Sequence, residues 1–93
     1  CFLIALSGGR IIGMARAVSD RTSDAYLQDV TVAAGRRGKG LGSEIVQRIV
    51  ARLHEDGLQW IGLIAERGSH PFYERLGFQV MPASLPMLRK EAS

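Results

Sequence analysis

Three glycines, Gly38, Gly40 and Gly42, alternate with Lys39 and Leu41 directly ahead of a long amphipathic run, and Arg36 and Arg37 precede them. Glycine at such a junction lets the backbone take positive φ and lets a ligand approach it closely. The first N–H groups of a helix have no partner within it, and the helix dipole adds partial positive charge there. With Arg36, Arg37 and Lys39 around them, they describe a site for phosphate oxygens. A tight strand-to-helix turn with solvated basic residues is the plainer alternative, and glycine spacing alone leaves it open. Two familiar phosphate loops do not fit. A Walker A loop needs glycine five residues before Gly38 and Ser or Thr after Lys39, where the chain has Ala33 and Gly40. A dinucleotide fingerprint beginning at Gly38 needs glycine at position 43, which is Ser43.

Other residues with chemical potential stand singly. His54 falls late in the amphipathic run and His70 precedes Pro71; solvated or capping roles are the expectation for both. Asp29 offers a carboxylate just before Val30-Thr31-Val32, with a hydrogen-bonding structural role expected of it. Glu66 and Arg67 follow a strand end, where mixed sheets often bind ligands. Trp60 is expected to pack, and the aromatic pair Phe72-Tyr73 reads first as core with a hydroxyl seeking a partner. The single cysteine, Cys1, excludes an internal disulfide, and no metal-ligand cluster is expected.

These residues are positioned by a simple series of elements. Phe2–Leu6 and Ile11–Val18 are strands joined by the turn Ser7-Gly8-Gly9-Arg10. A polar loop, residues 19–24, leads to a third strand, Tyr26–Val32. Tyr26, Gln28, Val30 and Val32 would share one face, and Leu27, Asp29 and Thr31 the other. Leu41, Ile45, Ile49 and Leu53 then recur every four residues, with Glu44–Arg48 and Arg52–Asp56 as charge pairs and Gly57 as the stop. Leu58–Ala65 is a strand, and a short helix starts around Pro71 and ends near Gly77. Phe78–Val80 and Leu85–Leu88 are weaker strand candidates. The order β-β-β-α-β-α-β implies an α+β domain spanning residues 1–93, a mixed β-sheet flanked by two helices. Its central β-α-β should be a parallel, right-handed crossover.

Ninety-three residues with 46% apolar content suit one small domain. No segment approaches the roughly 20 apolar residues of a membrane-spanning helix, and Phe2–Leu6 is too short for a signal-peptide core. The chain therefore reads as cytoplasmic, with no membrane partner. A net charge of +3 admits nucleic acid as a partner. The basic residues are scattered, however, and the one short cluster suits a small phosphate ligand better than a duplex.

Arg37-Gly38-Lys39-Gly40-Leu41-Gly42, preceded by Val30-Thr31-Val32, resembles the acetyl-coenzyme A motif of the GNAT superfamily of N-acetyltransferases. Pro71-Phe72-Tyr73-Glu74-Arg75-Leu76-Gly77-Phe78 resembles the superfamily's second hallmark, in matching order and separation, and the likeness runs from about Ile11 to Val80. The resemblance implies that backbone N–H groups from Arg37 through Gly38, Lys39, Gly40, Leu41 and Gly42 to Ser43 hold the pyrophosphate of coenzyme A. It implies that the strand edge at Val30 and Val32 pairs with the pantetheine arm. Tyr73 matches the tyrosine that protonates the departing thiolate, a leaving group that benefits from a positioned acid. The implied activity is acetyl transfer from acetyl-CoA, the co-substrate, to a primary amine, with no metal.

Related enzymes often place Glu or His where this chain has Tyr26 and Gln28, so the general base stays unassigned among Asp29 and a water chain. Family members also begin with a strand and one or two helices ahead of the hairpin. A chain opening on cysteine inside that hairpin reads as part of a longer protein, or as a small member completed by another chain. An uncovered sheet edge would also allow a homodimer. A non-catalytic acyl-CoA-sensing module and a basic nucleic-acid-binding domain are the competing readings.

Overall fold

Residues 1–20, 22–38 and 40–90 are described in a computed structural model, in which the chain divides into two compact units, Cys1–Leu63 and Ile64–Ser93. In the first unit, apolar alternation produces strands β1 (Phe2–Ser7), β2 (Arg10–Ser19) and β3 (Asp24–Val32), followed by helix α1 (Leu41–Glu55) and strand β4 (Trp60–Gly62). The sheet order is β1-β2-β3-β4; the first two pairings are antiparallel and β3–β4 is parallel, with α1 as the crossover. Gly8 and Gly9 join Ser7 to Arg10 with φ of 57° and 81°. Positive φ at both central residues is what a two-residue turn needs to follow the twist of its strands. Between β2 and β3, the Asp20 carboxylate accepts the N–H groups of Thr22, Ser23 and Asp24 at 2.8, 2.9 and 3.0 Å. Those bonds, Thr22 foremost, hold its carboxyl below the usual carboxylate range.

The core lies between one face of the sheet and α1. Ile45, Val46, Ile49 and Leu53 form the buried stripe of the helix, and Ala15, Ala17, Ala25 and Leu27 the sheet face beneath it. Small residues on the sheet let the helix settle low. Gly13 is the extreme case: a Cβ there would stand 2.5 Å from Ile45 Cδ1 and 3.2 Å from the Thr31 carbonyl oxygen. At its far end α1 stops where Gly57, φ 85°, donates to the His54 carbonyl and Leu58 donates to that of Leu53, both at 3.0 Å. That pairing of orphan carbonyls is the Schellman arrangement, and Leu58 and Leu53 are both buried, as the motif's apolar contact requires.

The fourth strand is shorter than the apolar run Leu58–Ala65 suggests. Only Asp24, Ala25 and Tyr26 of β3 are in register with Trp60, Ile61 and Gly62, and without a ladder partner the run ends. On the face away from α1, the Trp60 ring lies over Gly62 and meets Tyr26 edge-on, centroids 5.2 Å apart. Among the described residues β1 pairs only with β2 and so forms one edge of the sheet.

The second unit is built on α2 (His70–Glu74), with Pro71 in its first turn. Gly77, φ 97°, donates to the Glu74 carbonyl and Phe78 to that of Tyr73, each at 3.1 Å. The stop is the same device that ends α1. Phe78–Val80 and Leu85–Leu88 do not form the strands their composition suggests. Pro82 and Pro86 remove ladder donors, and Val80, Leu85, Met87 and Leu88 are 69%, 86%, 94% and 91% exposed.

Replacing Gly13 should register on the whole first unit, because Ile45 is fully packed and has little room to give. Gly13→Ala is expected to destabilise by about 1–3 kcal/mol, the range for overpacking a tight core, as read from the midpoint of a urea titration.

Candidate functional site

The edge of β3 is shaped by one extra residue. The β2–β3 register runs Gly13↔Val32 and Met14↔Thr31, then resumes at Arg16↔Gln28, so Asp29 and Val30 together face the single residue Ala15. Asp29 takes φ 55° to make this bulge. Its carboxylate lies 3.1 Å from Arg16 Nη2, and the same guanidinium nitrogen donates to Gln28 Oε1 at 2.8 Å. The bulge corrects the expected facing. Val30 and Val32 do not share a face with Tyr26 and Gln28; they turn to the helix side with Leu27, because one inserted residue inverts a period of two. The mixed burial of this strand, unreadable from alternation alone, follows directly.

The bulge also aims backbone groups. Ala33 N–H donates to the Ile12 carbonyl at 2.8 Å, so the Gly13–Val32 pair is of the kind whose own N–H and C=O point away from each other. Val32 therefore directs its polar backbone groups to the side opposite β2. Beta4 pairs with β3 only up to Tyr26, and from Leu27 to Val32 no strand lies on that side among the described residues. The open length of β3 ends at the glycine turn.

A short 3₁₀ turn, Ala34–Arg36, follows β3, and Gly38 and Gly40 both take φ 79°. A Cβ on either glycine would meet nothing within 4 Å, so the space over the turn is open to a ligand while the backbone conformation disfavours any other residue. Gly40 is the N-cap of α1 and contributes no side-chain cap. The helical ladder begins with Glu44 N–H donating to the Gly40 carbonyl at 3.1 Å, so the N–H groups of Leu41, Gly42 and Ser43 precede it. Three ladder-free amides at the positive end of a fifteen-residue helix fit an oxyanion. Arg37 folds back, its Nε donating to the Val32 carbonyl at 3.3 Å, which ties the turn to the open edge of β3. Lys39, the remaining basic residue of the motif, lies outside the described residues.

Within the second unit, Tyr73 is held from both sides. Its ring is edge-on to Phe72 at 4.9 Å and to Phe78 at 5.8 Å between centroids, and its carbonyl receives the Phe78 N–H that closes α2. The glycine and second phenylalanine of the motif thus have a physical task, which is to fix the tyrosine. Burial raises the phenol above its ordinary value near 10, so it is a protonated donor at neutral pH.

The remaining candidates are less involved. His54 and His70 are exposed. The Arg16 contact makes Asp29 an ion-paired carboxylate, in keeping with a structural role. Among the described residues no group of three or more His, Cys, Asp or Glu is gathered as a metal site. A groove of about 690 Å³ is lined by Leu3, Ile49, Leu53 and Leu58 with Arg52 and Asp56. It lies along the C-terminal half of α1, away from the glycine turn, and has no oxyanion chemistry to match it. Sequence reasoning missed Arg16 as the partner of Asp29; the clue was a strand whose apolar alternation changes phase after Leu27.

Residues 1–78 match the acetyltransferase (GNAT) family. The chain is 37% identical over 76 residues to the histone acetyltransferase TAP1 of Glycine max, covering 82% of this chain and 33% of that protein. It is 38% identical over 79 residues to the chloroplastic serotonin N-acetyltransferase 2 of Oryza sativa subsp. japonica, covering 85% and 40%. A crystal structure of a putative acetyltransferase from Deinococcus radiodurans R1 superposes with a TM-score of 0.82 at 36% identity, covering 96% of this chain and 60% of that one. The chain spans about a third of the length of the first curated relatives it matches. The rice protein is chloroplastic by name, so the likeness does not single out the cytoplasm.

The bulge predicts a contrast at one position. Asp29→Val places a β-branched residue at positive φ and should cost about 1–3 kcal/mol. Asp29→Gly removes the backbone strain together with the exposed ion pair and should stay within about 1 kcal/mol of the unaltered protein, both measured by denaturant titration.

Proposed function

Because this chain belongs to the acetyltransferase (GNAT) family, we propose that it binds acetyl-CoA and transfers the acetyl group to a primary amine. The observation that carries the reading is the mouth of α1. There, two glycines at φ 79° leave open space over ladder-free amides, at the end of a strand whose outer edge beyond Tyr26 has no partner strand among the described residues. A diphosphate at the amides of Arg37 to Ser43 would leave the pantetheine arm to run along the backbone of Val30 and Val32. Peptide-like amides of that arm would complete the ladder that β4 abandons after Tyr26.

The neutral amine would attack the thioester carbonyl carbon, and the carbon–sulfur bond would break as the carbonyl re-forms. The thiolate would take its proton from the Tyr73 phenol, which recovers one from solvent; the ammonium proton would leave through water. An N–H on the β3 edge directed at the thioester oxygen would stabilise the developing charge. Support for Tyr73 is its place in the second motif, its ring clamp and its protonated state. A module that only senses acyl-CoA would bind the ligand without turnover, and steady-state thiol release with a panel of amines distinguishes the two.

Gly40→Asp should abolish binding of acetyl-CoA in calorimetry, because it adds a carboxylate and a strained φ at the anion site; retained affinity would overturn the placement. Tyr73→Phe should slow single-turnover acetyl transfer by about 10²–10⁴-fold, the usual worth of a positioned acid, with acetyl-CoA affinity unchanged. Since burial raises the phenol, the alkaline fall in rate should begin above the ordinary tyrosine value near 10 and be absent in Tyr73→Phe.

A further inference from the structure

The face of the sheet turned away from α1 carries an aromatic pair that the core does not use. Tyr26 and Trp60 meet edge-on there with ring centroids 5.2 Å apart, yet they stay 48% and 39% exposed. Gly62 makes the meeting possible. It is in register with Tyr26, and a Cβ on it would stand 2.6 Å from the Trp60 ring. The absent side chain thus leaves the indole room to reach the phenol. One carboxylate belongs to the same patch. Asp24 and Tyr26 flank Ala25, which is buried under α1, so both project from the outer face. Asp24 is also in register with Trp60. Its Oδ1 accepts the Ser23 hydroxyl at 2.9 Å, and no cation answers it among the described residues.

Chemistry and place both narrow what this patch can hold. The nearby charges Arg16 and Asp29 satisfy each other at 3.1 Å, which leaves Asp24 as the uncompensated one. A ring face attracts a cation through its quadrupole, and a carboxylate alongside adds a full opposite charge. The patch is complementary to a positive group. It stands, moreover, at the fork of the sheet. Tyr26 is the last residue of β3 in register with β4, and the open length from Leu27 to Val32 spans about 20 Å at the usual rise of a strand. An acyl-CoA arm that starts at the glycine turn and runs back along Val32 and Val30 carries its thioester toward that fork.

We infer that Tyr26, Trp60 and Asp24 form a subsite for a positive charge on the acceptor, so that the preferred acceptor is an aliphatic amine bearing a second, ammonium group. The inference rests on the acetyl-transfer reading and names the class of amine for it. One nitrogen of the acceptor attacks the thioester as the neutral amine. The other stays protonated against the rings and the Asp24 carboxylate. Val18, the cross-strand partner of Tyr26 and 48% exposed, offers an apolar surface to the methylenes between them.

Trp60 is the only tryptophan of the chain, which supplies a readout that needs no turnover. Titrating the full chain with diaminobutane, without acetyl-CoA, should change the Trp60 fluorescence saturably, and butylamine over the same range should not. In acetyl-transfer assays the diamine should show a KM about five- to tenfold below that of butylamine, the combined size of a part-solvated cation–π contact and one exposed charge. Its kcat should match that of butylamine. Trp60→Leu and Asp24→Asn should each raise the diamine KM toward the butylamine value, and Trp60→Phe should keep most of the preference, a rescue that a folding defect would not give. Equal KM values for the two amines, or an equal rise for both in Asp24→Asn, would overturn the subsite and leave the acetyl-transfer reading intact. A preference for phenethylamine over the diamine would overturn it as well, because the rings would then be holding another ring. A saturable fluorescence change without acetyl transfer to any amine would support the subsite and sink the acetyl-transfer reading. Absence of both would sink both.

Discussion

The approach of α1 to the sheet at Gly13 governs where everything else can stand. Ile45 occupies space that any side chain at position 13 would need, and Ala15, Ala17 and Ala25 extend the same low floor beneath Ile49 and Leu53. The helix begins after the 3₁₀ turn Ala34–Arg36 and the glycine turn that follow β3. Were the floor made of valines, the helix would ride higher over the sheet. The seating of α1 is in this sense a consequence of small residues far from it in sequence.

A second constraint comes from the bulge at Asp29. One additional residue inverts the facing of Val30 and Val32 and turns them to the helix side, while the outer edge of β3 from Leu27 to Val32 has no neighbouring strand among the described residues. The Arg16 side chain holds the bulge by bridging Gln28 and Asp29. An exposed ion pair adds little stability, and its value here is geometric. Edge strands with unpaired groups invite association, and in this sheet the unpaired length is an internal one, bounded by β4 at one end and the glycine turn at the other.

Most of the fold was legible because it rests on local patterns. The Gly8-Gly9 turn, the four-residue recurrence from Leu41 to Leu53 and the glycine stops at Gly57 and Gly77 are each decided by a few adjacent residues. The glycine mouth was legible for the same reason, since positive φ at Gly38 and Gly40 is a property of the residue type. What stayed hidden depends on partners distant in the chain. The bulge exists only against Ala15, the shortness of β4 only against Asp24–Tyr26, and the Tyr26–Trp60 contact only once β4 lies beside β3. Apolar composition suggested strands at Phe78–Val80 and Leu85–Leu88, but a strand needs a ladder to join.

The parallel seam between β3 and β4 consists of three register pairs, closed by a crossover that must first be ordered. Loop closure of this kind returns little until the last contacts form, so the seam is the part of the sheet with the least cooperative backing. A molecule that lodged alongside Val30 and Val32 would extend the ladder of β3 past Tyr26, where β4 no longer pairs with it. Occupancy and rigidity would then rise together, and the bare chain would breathe along the very line that a ligand closes.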